Sequence, residues 1–181
     1  MNNGPRQAWK EGPSGLAFVP MQRSDISDVL EIESVSFSNP WREQDFVYAL
    51  EKEHGIGRVC RLDGLMLGYA VGFRTGSEFH LADFAVRPES QRRGYGATLL
   101  DILLAELRML GLRIVTLEVR RSNQPAVRLY GRAEFQTVAI RRAYYSRPTE
   151  DAIVMLKPLV GRLSDWVPKA LDRTLKTGES S

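Results

Sequence analysis

"QRRGYGATLL", residues 91–100, decides how this chain is read. It joins the strand-like run "HLADFAVRPES" (80–90) to the helix-like run "DILLAELRMLG" (101–111). Leu99, Leu103, Leu107 and Leu110 recur on one helical face, Leu100 and Ile102 widen it, and Gly111 is a natural stop. A strand therefore hands over to a helix across two arginines and two glycines. A helix start exposes unpaired N–H groups and the positive end of the helix dipole. Glycines let the backbone approach an anion with no Cβ in the way, and arginines add charge. Arg92, Arg93, Gly94, Tyr95, Gly96 and Ala97 thus have the make-up of a pyrophosphate cradle. It is not a Walker loop, because no Gly-Lys-Ser/Thr follows. It is not a dinucleotide fingerprint either: Leu99 stands where the third glycine belongs, and no βαβ unit precedes it. A polar helix start on a flexible turn would look the same, so the junction alone does not decide function.

Upstream, residues 1–15 carry Gly, Pro, Asn and Ser without periodicity and read as a flexible arm. "LAFVP" is a short strand. "SDISDVLEIESVSF" reads as a helix capped by Ser24, with Ile26, Val29, Leu30, Ile32 and Val35 on one face. Asn39-Pro40 breaks the chain, and "WREQDFVYALEKE" starts a second helix anchored by Trp41, Phe46 and Leu50. Three strand-like runs follow, "GIGRVCRL", "LMLGYAVGFRT" and "EFHLADFAVRP". Asp63-Gly64 and Gly76-Ser77 separate them, so the expectation is an antiparallel meander.

Downstream, "LRIVTLEV" is a strand, "NQPAVRLYGRAEF" a helix with Pro125 in its first turn, and "QTVAIRRAYY" and "AIVMLKPL" are strands around the turn "SRPTED". The order β-α-α-β-β-β-α-β-α-β-β implies an α/β layer fold around one mixed sheet. Residues 16–158 make the domain, and 159–181 are an appendix. There Asp165 can cap a helix with Pro168 in its first turn and Val167, Ala170, Leu171, Thr174 and Leu175 on one face; "KTGESS" reads as disordered. Three readings fit the appendix: a helix packed on the domain, a helix that docks a partner, or a fraying tail.

The second strand-to-helix junction is "LEVRRSNQPAVRLY", residues 117–130. Alternation puts Val115, Leu117 and Val119 on one face and Thr116, Glu118 and Arg120 on the other. Taken singly, Glu118 is an ordinary exposed glutamate, Tyr130 a core-edge tyrosine and Asn123 a helix cap.

Together these segments resemble the GNAT acetyltransferase superfamily, and within it the RimI-type ribosomal-protein-alanine N-acetyltransferases. The resemblance covers roughly residues 16–158 and rests on "NPW" (39–41), "FAVRPESQRRGYGATLL" (84–100), "LEVRRSNQPAVRLY" (117–130), and "RRAYY" followed by "EDAIVM". It departs from the family at "GRAEF", where Glu134 replaces a usual glycine; a different helix ending there would move Tyr130.

The resemblance implies a single, mostly antiparallel mixed sheet flanked by helices and splayed at an acetyl-CoA site. It implies acetyl-CoA as co-substrate and the N-terminal alanine of a small-subunit ribosomal protein as acceptor. Pyrophosphate would sit on residues 92–97, the pantetheine arm along Phe84, Ala85 and Val86, and Asn123 would add a further contact. Val86 N–H would support the oxyanion. Glu118 matches the family's general base and Tyr130 its general acid. Trp41, Tyr144 and Tyr145 would line the acceptor groove, with strand-end packing the competing account of the two tyrosines. Arg141 and Arg142 are either attractors of an acidic peptide or a solvated strand face. Two other readings keep the fold: an enzyme with broader protein N-terminal or lysine acceptors, and a non-catalytic CoA-binding interaction module. The presence of both Glu118 and Tyr130 speaks against the latter.

A cytosolic protein and a monomer are the default expectations. The chain has 181 residues, 43% hydrophobic and 26% charged, enough for one core without disulfides. Its only cysteine, Cys60, sits in an extended run and is expected to be buried and inert. Two histidines and one cysteine are too few for a usual zinc set, so no metal is expected. A net charge of +3 favours acidic ligands or a ribonucleoprotein neighbour but is no nucleic-acid signature, and no direct nucleic-acid contact is expected. No apolar run reaches the roughly 18 residues of a membrane span, and the N-terminus lacks the apolar core of a secretory signal.

Overall fold

The computed structural model describes residues 15–166. The elements run β1 (Leu16–Pro20), α1 (Ile26–Ser36), α2 (Glu43–Glu51), β2 (Gly55–Leu62), β3 (Leu65–Thr75), β4 (Glu78–Val86), α3 (Tyr95–Met109), β5 (Ile114–Arg120), α4 (Gln124–Arg132), β6 (Gln136–Ser146) and β7 (Thr149–Pro158). One seven-stranded sheet holds them in the order β1-β2-β3-β4-β5-β7-β6. Only β4 and β5 pair in parallel; every other pair is antiparallel.

The turn chemistry sets the meander. Leu62 pairs with Leu65 across Asp63 and Gly64, whose φ values of 50° and 84° are the two positive angles of a tight hairpin turn. Gly76, at φ 57°, opens the second turn between Thr75 and Glu78. Helices cover both faces of the sheet. Ile26, Val29 and Ile32 of α1 join Phe46 and Ala49 of α2 over Val59, Tyr69 and Val71. On the other face Leu100, Leu103, Leu104 and Leu107 of α3 pack with Tyr130 of α4 over Phe79, Leu81, Val115 and Leu117. Cys60 is buried among Phe18, Leu67 and Leu99, and burial pushes its thiol up to about 11, so it is inert as expected.

Local details differ from the sequence expectations. Ser24 is not the helix cap. The chain enters α1 through a 3-10 turn, Arg23–Asp25, and the Asp25 carboxylate accepts the Gln22 N–H at 2.7 Å. Asp25 also pairs with Arg61 of β2 at 2.7 Å, which fixes the entry better than an exposed serine could. Val35 and Leu110, placed on apolar faces by spacing, are exposed because each lies in the last turn of its helix or just beyond it. The helix expected after Asp165 falls outside the described residues; Asp165 itself closes a 3-10 turn, Leu163–Asp165.

Glu134 takes the role of the glycine it replaces. It sits at φ 64°, its N–H bonds to the Gly131 carbonyl (3.0 Å), and the Phe135 N–H bonds back to the Tyr130 carbonyl (3.0 Å). This is a Schellman ending, completed by Phe135 and Tyr130 rings 5.6 Å apart. The end of α3 is built the same way, with Gly111 at φ 78° and Leu112 bonded back to Leu107. The Glu134 carboxylate accepts from the otherwise buried Lys157 ammonium at 2.8 Å, an interaction glycine could not make. The ending is therefore regular, and Tyr130 keeps its place.

Candidate active site

β4 and β5 pair from Glu78↔Ile114 to Leu81↔Leu117 and then part. A bulge at Ala82 marks the parting: Asp83 pairs with Val71, and Leu81 with Gly72. Gly72 is required there, because a Cβ would lie 2.3 Å from the His80 carbonyl and 2.4 Å from the Phe79 ring. Beyond the bulge, Arg87 N–H bonds to the Leu67 carbonyl at 2.7 Å. Backbone alternation then points the peptide groups of Asp83 and Ala85 toward β3, and those of Phe84 and Val86 into the gap. Ala85 also buries its methyl in the α1–α2 core, so of the three expected pantetheine contacts only Phe84 and Val86 face the opening. The Gln91 side chain donates to the Val86 carbonyl (3.0 Å) and ties the arginine-glycine turn to the gap's edge.

That turn is open. Gly94, at φ 90°, precedes α3 and no side chain caps the helix. The first helical bond is Thr98 N–H to Gly94 carbonyl at 3.0 Å, so the amides of Tyr95, Gly96 and Ala97 have no partner among the described residues. Arg92, Arg93, Gly94 and Ala97 are exposed, while Tyr95 and Gly96 are half-buried. Three free amides and a helix dipole face out there beside two exposed arginines, a combination that can hold a phosphate group. At the neighbouring junction Asn123 Oδ1 accepts the Ala126 N–H (3.2 Å), which leaves only its amide nitrogen free for a ligand.

Glu118 lies one residue past the last β4–β5 pair, on the α1–α2 side of the sheet, while its neighbours Leu117 and Val119 face α3. It is nearly buried and gripped from two sides: Arg141 of β6 approaches Oε1 at 3.0 Å, and His80 Nε2 of β4 approaches Oε2 at 3.3 Å. His80 is held in turn by Thr116 Oγ1 at 3.3 Å. Arg141, although exposed, thus has a partner in the site.

Tyr130 of α4 is buried on the α3 side of the sheet, its ring 6.2 Å from Phe84. Burial holds its proton well above the usual phenol range. Its hydroxyl thus stays protonated at every working pH, the form a general acid requires.

The three expected acceptor residues lie on two segments that are tied together. Ser38, three residues before Trp41, donates to the Arg147 carbonyl (2.8 Å), two residues after Tyr145. Arg120 bridges both, reaching Ser38 Oγ (3.3 Å) and the Arg147 carbonyl (3.0 Å), and its guanidinium stacks 4.1 Å from the Tyr145 ring. Tyr144 is exposed and meets Tyr145 edge to face at 5.1 Å. Trp41 is half-buried, its ring 5.2 Å from Phe46. The ties through Arg120 and the grip of His80 and Arg141 on Glu118 were not foreseen. Each joins residues far apart in the chain, and arginine or histidine types alone give no sign of such partners.

Known proteins match both the sequence and the fold of this chain. Residues 26–135 match the acetyltransferase (GNAT) family. The [ribosomal protein bS18]-alanine N-acetyltransferase of Escherichia coli is 34% identical over 143 residues, covering 77% of this chain and 95% of the relative. The N-alpha-acetyltransferase RimI of Mycobacterium tuberculosis is 34% identical over 141 residues, 75% of this chain and 87% of the relative. Among solved structures, the Escherichia coli ribosomal-protein-S18-alanine N-acetyltransferase superposes with a TM-score of 0.76 at 30% identity, covering 84% of this chain and 99% of the other. Ard1 of Thermoplasma volcanium gives 0.75 at 25% identity, with 81% and 99% covered. This chain belongs to the GNAT acetyltransferase family and is an N-acetyltransferase of RimI type.

Proposed function

We propose that the protein transfers the acetyl group of acetyl-CoA to the α-amine of an N-terminal alanine, and that its acceptor is a small-subunit ribosomal protein of the bS18 kind. One observation carries this reading: β4 and β5 part beyond Leu81 and Leu117, with Glu118 next on β5, Tyr130 packed against Phe84 of β4, and an uncapped helix start able to take a pyrophosphate nearby. The residues of that start, Arg92, Arg93, Gly94, Tyr95, Gly96 and Ala97, would bind the diphosphate. The peptide groups of Phe84 and Val86 would pair with pantetheine, and Asn123 would add a contact through its amide nitrogen. Trp41, Tyr144 and Tyr145 would hold the acceptor chain.

The chemistry follows from these positions. The neutral amine attacks the thioester carbonyl carbon, and the carbonyl electrons move to an oxyanion supported by Val86 N–H. The attacking nitrogen gives its proton to Glu118, directly or through one water. The oxyanion collapses, the C–S bond breaks, and the departing thiolate takes the Tyr130 proton. Free pKa values favour an α-amine: with a pKa near 7.7–8.0, about a third is already neutral at pH 7.5, whereas a lysine near 10.4 is only ~0.1% neutral. A single carboxylate whose charge Arg141 balances suits the easier task.

Measuring acetyl-CoA affinity beside turnover of an alanine-starting peptide tests the roles. Glu118→Gln and Tyr130→Phe should each lower turnover about 10²-fold or more and leave acetyl-CoA affinity within about threefold. Full turnover in both variants would remove the acid and base roles.

A further inference from the structure

Three side chains that this chemistry does not use meet between α1, β3 and β4. Glu33, Tyr69 and Asp83 are all buried. Glu33 Oε1 accepts the Trp41 N–H at 2.6 Å, and Glu33 Oε2 accepts the Tyr69 hydroxyl. The same hydroxyl oxygen lies 3.2 Å from Asp83 Oδ2. Among the described residues no lysine, arginine or histidine pairs with either carboxyl.

Proton counting assigns the charges. A tyrosine has one hydroxyl proton and cannot donate it to two carboxylates at once. Glu33 has a donor on each oxygen, so it is the ionised partner. Asp83 then faces the lone pairs of the Tyr69 oxygen, an arrangement that is attractive only when Asp83 brings a proton of its own. Two carboxyls in one dry site without a cation cannot both ionise. Burial, and then the Glu33 charge, push Asp83 well above the usual carboxylate range; burial raises Glu33 as well, but the Tyr69 hydroxyl and the Trp41 N–H draw it back down, in agreement with the count. The groups facing Asp83 are Tyr69 from β3, Glu33 from α1, Tyr130 from α4 and the neighbouring Phe84 N–H, none of them cationic.

We propose that Glu33 is a positioning residue for the acceptor groove: kept ionised beside a proton carried by Asp83, it pins the Trp41 segment to the strand that lines the acetyl-CoA gap. The proposal rests on the reading of Trp41 as an acceptor contact. The arrangement serves the reaction twice. It joins the acceptor segment to β4 through Tyr69, and it keeps Asp83, the residue before Phe84, from adding negative charge where an oxyanion and a thiolate develop.

The two carboxyls therefore respond differently to isosteric amides. Asp83→Asn copies the neutral acid, because its N–H can reach the Tyr69 oxygen. Glu33→Gln removes the charge that holds two donors. The test compares both variants with the wild type. Infrared difference spectra, wild type minus Asp83→Asn at neutral pH without substrates, should show the C=O band of a protonated carboxylic acid. Asp83→Asn should keep the KM values for an alanine-starting peptide and for acetyl-CoA within about threefold. Glu33→Gln should raise the peptide KM about tenfold or more and leave that for acetyl-CoA within about threefold. A missing acid band, or equal effects of the two variants on the peptide KM, overturns the proposal. The band is read without turnover, so an inactive wild type would count against the acetyltransferase reading and leave the proton's placement to be judged on its own.

Discussion

The parallel pair β4 and β5 ends in two junctions that lead into helices from the same edge of the sheet, yet they are finished in opposite ways. The turn after β5 is closed by the protein itself. Asn123 caps α4, and Glu150 accepts both the amide (2.5 Å) and the hydroxyl (3.0 Å) of Ser122. These bonds, the Ser122 amide foremost, hold the Glu150 carboxyl below its usual range. At the turn after β4 no carboxylate takes a helix-start amide and no side chain caps α3 among the described residues, which leaves three free amides beside glycines and arginines. A helix start left unfinished at the carboxyl end of a parallel strand is a place prepared for an anion from outside. The finished one starts the helix that carries Tyr130, seven residues further along, against Phe84.

Making the open junction resemble the closed one should have the largest effect. Gly94→Asp sets a carboxylate beside the free amides, and acetyl-CoA KM should rise about 100-fold, ~2.7 kcal/mol, with turnover at saturation retained. Steady-state titration of acetyl-CoA checks this; an unchanged KM would mean that the turn does not hold the diphosphate. Arg92→Ala with Arg93→Ala leaves the amides in place and should raise the same KM only about tenfold, since exposed arginines are partly screened by solvent. Added salt should shrink the difference between this variant and the wild type.

At the closed junction the effects are smaller. Asn123→Ala removes the cap and should cost about 1 kcal/mol of stability, read as a Tm lowered by roughly 2–4 °C. Asn123→Asp keeps the cap oxygen but loses the amide donor, so it should preserve Tm and raise acetyl-CoA KM a few-fold. Equal Tm losses in both would mean that Asn123 does not act as a cap. The smallest effect is a slope. Asp83 has its folded-state pKa raised, so its contribution to stability is fully present below the unfolded carboxyl's value of about 3.9 and is lost as pH rises through the folded value. Asp83→Asn should therefore flatten the decline of Tm toward alkaline pH. An unchanged profile would show that Asp83 takes up no proton on folding.

Much of this was legible in the sequence, because it follows from local rules. The meander follows from Asp63-Gly64 and Gly76-Ser77, the face of Glu118 from strict alternation along β5, and the open helix start from "QRRGYG". What stayed hidden depends on distant partners. The bulge at Ala82 shifts β4 by one residue, so alternation cannot carry the orientation of His80 through to Phe84. Glu33, Tyr69 and Asp83 come from three elements and look like unremarkable positions until the fold buries them together. Ser24 illustrates the local limit: a good cap by type lost to Asp25 because Arg61 reaches across from β2. Glu134 shows the reverse. A missing glycine looked like a threat to α4, and the sequence held no sign that Lys157 would be waiting for its side chain.

The central claim is that the acceptor is an α-amine. One mixture tests it: the protein, acetyl-CoA, and a peptide with a free N-terminal alanine and an internal lysine, read by tandem mass spectrometry. Acetyl is expected on the alanine nitrogen and none on the lysine. Acetyl on the lysine, or on neither amine, would contradict it.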